Sequence, residues 1–456
     1  MELIKSKKAS ENYLSKIVNI TTFRTHSDPE VTRLKCCTID GFNIITGIDS
    51  QPGLYVYFPA LSCINGDFLS YANLYRHKEL NKDPEQSGMF EDNGRVKAIK
   101  LRGELSEGFI LPVTVLENYI VSVTNKELEN VTEGTEFDSV SDSGKEFWIS
   151  KKYIAKRTYA QETPTGRITK KVPKGINKVI DTQFRFHYDS IIIKKCPNVI
   201  TPDSRIQLSY KIHGTSGISA YVLCKQPLNW KQKLAKWLTG EEFNKYDYIY
   251  ASRTVIKNKY YNRNVGGGFY GVDVWAEADK IVRPCLSRGM SAYYEIVGYL
   301  PNGGCIQKKY DYGCVPPKEG EPYTPEKHFK VRIYRVTYTN IDGKVFEFTP
   351  HQVQQWCAQV GLIPVEECYC GMAKDLYPDL NPSEHWNENF INRLAGDPNF
   401  YMELDSPHCN NKVPHEGLVI KIDDGVTRAF KLKCFRFLNK EQELLDKGEN
   451  NIEDEA

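Results

Sequence analysis

The stretch Ile206-Gln207-Leu208-Ser209-Tyr210-Lys211-Ile212-His213-Gly214-Thr215-Ser216 decides the reading of this chain. Ile206 to Tyr210 alternates apolar with polar, the period of a half-buried strand. It runs directly into a lysine two residues short of a His-Gly pair. A strand that delivers a lysine just before a glycine turn sets one amine at the edge of a sheet, where the backbone has room to approach a ligand closely. Most lysines are solvated surface charges and a short Lys-x-x-Gly string is common, so the stretch gains its weight from an ordered set of segments further along the chain.

Outward from Lys211, Ser252-Arg253 lies 42 residues downstream, after the β-rich run Tyr248 to Ala251. Tyr293-Tyr294-Glu295-Ile296-Val297-Gly298 sets a carboxylate in a β run 84 residues downstream. Val331 to Tyr338 reads as a strand carrying Tyr334. Glu416-Gly417-Leu418-Val419-Ile420-Lys421 and Ala429-Phe430-Lys431-Leu432-Lys433 close the series, separated by a turn around Asp423-Asp424-Gly425.

This ordered series resembles the covalent nucleotidyltransferase superfamily of ATP-dependent polynucleotide ligases and mRNA capping enzymes. Lys211-Ile212-His213-Gly214 looks like its motif I, Ser252-Arg253 like motif Ia, Tyr294-Glu295 like motif III and the Tyr334 strand like motif IIIa. Glu416-Gly417 looks like motif IV and Lys431-Leu432-Lys433 like motif V. The Lys-x-His-Gly form is closer to RNA ligases than to DNA ligases or capping enzymes, which usually carry Lys-x-Asp-Gly. Lys100-Leu101-Arg102-Gly103 and Ser106-Glu107-Gly108 resemble the OB module of the RNA ligase branch in which that module precedes the transferase domain. Phe186-His187-Tyr188-Asp189 and Gly268-Phe269-Tyr270-Gly271 are also similar to segments of that branch.

The resemblance implies an N-terminal OB-like β-barrel followed by an α+β nucleotidyltransferase domain built on antiparallel sheets. It implies that Lys211 is the nucleophile that takes AMP from ATP, with Mg²⁺ or Mn²⁺ as the metal. Glu416 would serve the metal. Glu295 would face the ribose hydroxyls, Arg253 would grip ribose or phosphate, Tyr334 would stack on adenine, and His213, Gly214, Lys431 and Lys433 would complete the nucleotide site. The partner implied is RNA with 3′-hydroxyl and 5′-phosphate ends, in a nicked duplex or held by a bridging strand. A DNA ligase or a capping guanylyltransferase shares this chemistry, and an OB-containing RNA-binding protein without activity is the alternative from another class.

The chemistry of the residues supports these roles independently. An amine that attacks phosphorus must be neutral, and a free lysine titrates near pH ~10.4. Lys431 and Lys433, with a divalent metal, would free its lone pair and balance phosphate charge. Carboxylates are the hard oxygen ligands phosphoryl transfer needs. His213 cannot copy the charge of the aspartate that stands there in many relatives, which throws more of the metal's electrostatics onto Glu416.

Composition bounds the rest. The 456 residues, 40% hydrophobic and 12% aromatic, exclude collagen-like, coiled-coil and disordered chains. Sixty Lys+Arg against 58 Asp+Glu leave +2, so any nucleic-acid binding must come from local patches. No stretch has the roughly 18 apolar residues of a membrane span and the start lacks a signal-peptide core, so we expect a cytoplasmic protein without a membrane partner; a monomer is expected alongside. Thirteen cysteines fit reduced thiols. Cys357, Cys368, Cys370, His408 and Cys409 lack zinc-site spacing and read as small buried side chains.

Four regions result: an OB-like module over 1–125, a basic linker region over 126–180, the catalytic domain over 181–440 and an acidic tail over 441–456. Strands with an Asp40-Gly41 hairpin of type I′ and no clear helix are expected from Tyr13 to Val113. Lys151 to Lys178 carries nine bases against Glu162, and Lys440 to Ala456 two bases against seven acids. That basic linker and the cations Arg95, Lys97, Lys100 and Arg102 are candidates for nucleic-acid backbone contacts. Trp230, Leu234, Trp237 and Leu238 predict an amphipathic helix packed on the core. Thr349-Pro350 starts another that Gly361 ends. The insertions Cys305 to Lys330 and Lys374 to His415 are expected at the surface.

Overall fold

The computed structural model describes residues 1–155, 178–240, 242–257, 270, 272–380, 385–423 and 427–448. Residues 156–177 of the basic linker region therefore lie outside the described residues, as do Gly268, Phe269, Gly271, the Asp424-Gly425 turn and the last eight residues of the acidic end.

The catalytic half rests on two antiparallel sheets. Thr215–Lys225 is flanked by Asn244–Ser252 and Met290–Gly298, and Met290–Gly298 pairs in turn with Phe329–Thr339. The second sheet runs Ile191–Ile192, Thr427–Lys433, Gly417–Asp423, Arg205–Tyr210 and Glu367–Met372, all antiparallel except the first pair. Their outer faces are covered by helices. Val274–Val282 and Pro350–Val360 bury Trp275, Ala278, Val353 and Cys357 behind the first sheet. Trp386–Ala395 buries Trp386, Phe390, Ile391 and Leu394 behind the second. Helix Pro350–Val360 starts and stops where the sequence signals it, with a Thr349/Gln352 capping box and Gly361 at φ 74°.

Several expectations are corrected. The insertion Lys374 to His415 contributes that Trp386–Ala395 helix to the core, because its apolar residues recur at helical spacing. Cys305 to Lys330 sends Ile306, Tyr310 and Tyr312 inside. The amphipathic helix forms over Trp230–Thr239 but has no buried residue.

In the N-terminal half, strands Gly108–Pro112, Gly53–Pro59, Ser15–Ile20 and Glu136–Phe137 make one sheet, and Arg24–Thr25, Leu34–Ile39 and Phe42–Gly47 another. Among the described residues these strands lie in separate short sheets and close no barrel. Two helices also appear, Gly66–Tyr71 and Val113–Thr124, the second burying Leu116, Tyr119 and Ile120. The Asp40-Gly41 hairpin is present, with Asp40 at φ 51°, but Gly41 is not left-handed. Its missing side chain serves a close approach instead: a Cβ there would lie 3.0 Å from Lys194 Cα, and the Gly41 N–H donates to the Lys194 carbonyl at 2.7 Å.

Residues 435–446, whose second half was expected to open an acidic tail, form a helix instead, Phe435–Asp446. It crosses back to the N-terminal half. The Gln442 amide exchanges hydrogen bonds with the backbone of Ala98 at 2.8 and 2.9 Å, and Asp446 pairs with Arg95 and, at 3.2 Å, Lys97. Lys100 lies 4.9 Å over the Phe435 ring. Three of the four cations expected to meet nucleic acid are thus engaged within the protein, Lys100 while still exposed, and Arg102 is exposed at a turn. All thirteen cysteines are free thiols, and among the described residues no three His, Cys, Asp or Glu side chains converge as a metal site.

Candidate active site

Lys211 leaves the end of strand Arg205–Tyr210 with its N–H donating 2.8 Å to the Gly417 carbonyl, which fixes it against the neighbouring strand. Its Nζ lies 2.6 Å from Oε1 of Glu416, the residue just ahead of that strand. The Glu416 side chain is 1% exposed, and it is shared: Lys433 Nζ stands 3.9 Å from the same oxygen and His213 Nδ1 3.8 Å from the other. Neither Glu416 oxygen accepts a hydrogen bond of proper alignment, so the contacts are ionic. Gly417 makes the crossing possible. At φ 134°, a Cβ there would strike the Leu432 carbonyl oxygen at 2.0 Å.

Lys433 is held from the other side by both oxygens of Glu441, at 2.9 Å each, on the C-terminal helix. One turn earlier, the same face of that helix brings Phe437 edge-on to His213, with ring centroids 4.9 Å apart, and Tyr310 flanks the imidazole at 4.8 Å. The His213 N–H donates to the Tyr312 hydroxyl at 2.5 Å. The histidine therefore sits in an aromatic cage beside Glu416.

Lys431, two residues before Lys433 and on the same strand face, pairs with Asp189 at 2.8 Å, and Arg253 reaches that carboxylate at 3.4 Å. Burial works to raise the Asp189 carboxyl, but Lys431 and then Arg253 hold it down to about 2. Burial lowers Lys431, and the charges of Lys433 and Lys211 lower it further against the pull of Asp189. Asn12 of the N-terminal half donates to Asp189 at 3.1 Å and accepts from the Ile192 N–H at 2.9 Å.

The opposite wall comes from the first sheet. Gly214 is packed so that a Cβ would meet the Ile296 carbonyl oxygen at 2.4 Å and Glu295 Cγ at 2.9 Å. Glu295 is directly across the ladder from Ser216. The Tyr334 hydroxyl stands between Ser216 Oγ at 3.0 Å and His187 Nδ1 at 3.1 Å, and burial, followed by the Glu295 charge, raises its titration well above the ordinary phenol value. Lys421 spans the gap between the sheets to donate to the Tyr334 carbonyl at 2.8 Å. On the far side of Lys211, its neighbours Tyr210 and Ile212 line a cavity of about 730 Å³ with Lys330, Arg332, Glu366 and His408.

The contacts thus bring Lys211, His213, Lys433 and Glu416 together and set Lys431 and Arg253 about Asp189, with Gly214, Glu295 and Tyr334 on the facing side of the cleft. Sequence reasoning did not assign Asp189, Lys421 and Glu441 to it. Asp189 and Lys421 stand inside segments that carry the family resemblance, and Lys421 continues the alternation of its strand onto the cleft face. Glu441 carried no signal, because its helix was expected to be a solvated tail.

No family model and no curated protein matches the chain. Solved structures of a Naegleria gruberi RNA ligase do match in fold. One with ATP and Mn has a TM-score of 0.53 at 14% identity, over 94% of this chain and 99% of that one. One with AMP and Mn has 0.53 at 16%, over the same shares, and one with PPi 0.52 at 15%, likewise.

Proposed function

We propose that this chain is an ATP-dependent RNA ligase that joins 3′-hydroxyl and 5′-phosphate ends, with Lys211 as the residue that carries AMP. The observation that carries the proposal is the placement of Lys211 Nζ 2.6 Å from a buried Glu416 that Lys433 also faces, at the mouth of a cleft ringed by Lys431, Arg253 and Tyr334. The fold shared with the Naegleria gruberi RNA ligase structures supports the same reading.

Lys211 attacks the α-phosphorus as an amine: the N–P bond forms while the bond from phosphorus to the bridging oxygen breaks, pyrophosphate leaves with that electron pair, and the nitrogen gives its proton to water. The Glu416 ion pair stabilises the ammonium form, so attack requires that Glu416's charge be engaged by another cation. The residues fit a divalent ion, Mg²⁺ or Mn²⁺. Glu416 is a buried carboxylate with no aligned hydrogen bond, and no third protein ligand converges among the described residues, as suits an ion that keeps most of its shell as water and phosphate oxygen. Glu416 would hold it, and its charge would balance that of the phosphates. Lys433 and Lys431 lie on one strand face to receive phosphate oxygens, with Arg253 offering a two-pronged donor. Tyr334 closes the cleft against adenine and Glu295 faces the ribose. A 5′-phosphate oxygen of RNA then takes AMP from Lys211, breaking the N–P bond, and the 3′-hydroxyl displaces AMP to form the phosphodiester. The N-terminal half, as an OB-like module, would help hold the RNA, preferentially at a nick.

Incubation with α-labelled ATP or GTP and either metal, followed by denaturing electrophoresis, tests this. Wild type should retain label from ATP and Lys211→Ala should not. Label on the variant, or label from GTP alone, refutes the assignment. Sealing with RNA and not DNA at the 3′-hydroxyl side separates RNA ligase from DNA ligase.

A further inference from the structure

Helix Trp230–Thr239 stands at the tip of the hairpin formed by Thr215–Lys225 and Asn244–Ser252. It is well built: Asn229 and Gln232 form a capping box at its start, and Gly240 closes it in the left-handed region. Yet it buries nothing. Trp230 is 71% exposed, Leu234 48%, Trp237 79% and Leu238 66%. At 100° per residue these four fall on one face, with Lys231 and Lys233 on its two flanks and Lys236 behind. No acidic residue lies within the helix. From Lys225 to Lys245 the chain has five lysines against Glu241 and Glu242, a local +3, and Glu242 is engaged with Lys236 at 2.5 Å. A helix of ten residues is marginal alone in water, and its apolar face is the part that a counter-surface would stabilise.

We infer that this helix is a peripheral docking element for an anionic lipid surface. Two leucines beside two tryptophans on one helix face, flanked by lysines, are what the boundary of a bilayer accepts. Leucine side chains enter the acyl region, indoles sit at the headgroup level, and lysines reach lipid phosphates and carboxylates with their stems along the apolar surface. RNA would stack on the tryptophans and attract the lysines but would leave Leu234 and Leu238 without an apolar partner. The sequence excludes a span, and this helix is too short to cross a membrane; lying in the interface needs neither. Location supports the assignment. The strand from Thr215 to Lys225 has 11 residues, so at ~3.3 Å per residue the helix lies roughly 33 Å along it from the Lys211 end. Docking there leaves the cleft open.

Vesicle flotation of the full chain tests the inference, with phosphatidylcholine vesicles beside vesicles that also contain phosphatidylserine. Wild type should float with the anionic vesicles at least ~10-fold better than with neutral ones. Leu234→Ser with Trp237→Ser should lower that flotation by ~10-fold or more, and Lys231→Glu with Lys233→Glu should erase the preference for phosphatidylserine. All variants should keep wild-type transfer of label from ATP, which reports an intact fold away from the helix. Wild type that ignores anionic vesicles, or a Leu234/Trp237 variant that floats equally well, overturns the inference. So does a variant that leaves vesicle binding unchanged and loses RNA in a gel shift, since the patch would then be an RNA contact.

Discussion

Lys421→Met isolates what it costs to hold an ammonium between the two sheets. Burial lowers Lys421 from 10.5 to about 8 despite the pull of Glu347 and Glu367, with Arg335 adding to the depression. A drop of that size corresponds to about 3 kcal/mol at ~1.4 kcal/mol per pH unit. Between about pH 8 and 10.5 the unfolded chain holds this proton and the folded one does not, so the contribution of Lys421 to folding stability rises with pH through that window. Below it the full penalty applies. Methionine keeps the length of the side chain and removes the charge, at the loss of one hydrogen bond to the Tyr334 carbonyl, about 1 kcal/mol. The variant should therefore be more stable than wild type near neutrality by about 2 kcal/mol. The gap should narrow by about 1.4 kcal/mol per unit of pH above 8. Urea unfolding of both proteins at a series of pH values measures it. Parallel stability profiles across that window would show that Lys421 is not buried as an ammonium and refute the reasoning.

Glu441→Gln removes the anion that holds Lys433, leaving more net positive charge around Lys211; the acid limb of the pH profile for label transfer from ATP should move to lower pH, whereas a purely structural defect would lower the plateau without shifting it. Gly214→Ala drives a methyl to 2.4 Å from the Ile296 carbonyl oxygen and should destabilise by roughly 1–3 kcal/mol in thermal or urea unfolding, with label transfer falling alongside. Glu416→Gln should lower label transfer by about 100-fold or more while leaving stability close to wild type, read by single-turnover kinetics and unfolding together. Arg95→Ala removes a buried guanidinium from Asp446, whose carboxylate is 44% exposed and keeps Lys97, and should cost about 1 kcal/mol of stability, with increased protease sensitivity near residue 440.

The cleft was legible because its chemistry sits on strands. Alternation fixes which side chains share a face, so Lys431 and Lys433 follow from one another, and the Lys211 and Glu416 strands are neighbours through Gly417. The hidden features depend on distant partners. The cations Arg95, Lys97 and Lys100 look like a nucleic-acid surface until the helix that carries Asp446 is packed on them. Tyr310 and Tyr312 lie in an insertion with no periodic pattern, and only the fold puts them around His213. Trp386, Phe390, Ile391 and Leu394 do repeat at helical spacing, a signal present in the insertion, although the segment's length points to a surface excursion. The exposed face of Trp230–Thr239 shows the reverse: periodicity identifies a helix but not whether anything covers it.

The strap formed by Phe435–Asp446 has a practical outcome for anyone handling this protein. Within three turns it grips Lys433 through Glu441, braces His213 through Phe437 and bolts onto Ala98 and Arg95. Cutting the chain ahead of residue 435 to discard acidic residues would loosen Lys433 and unfasten the two halves in one stroke, whereas trimming past residue 448 spares every one of these grips.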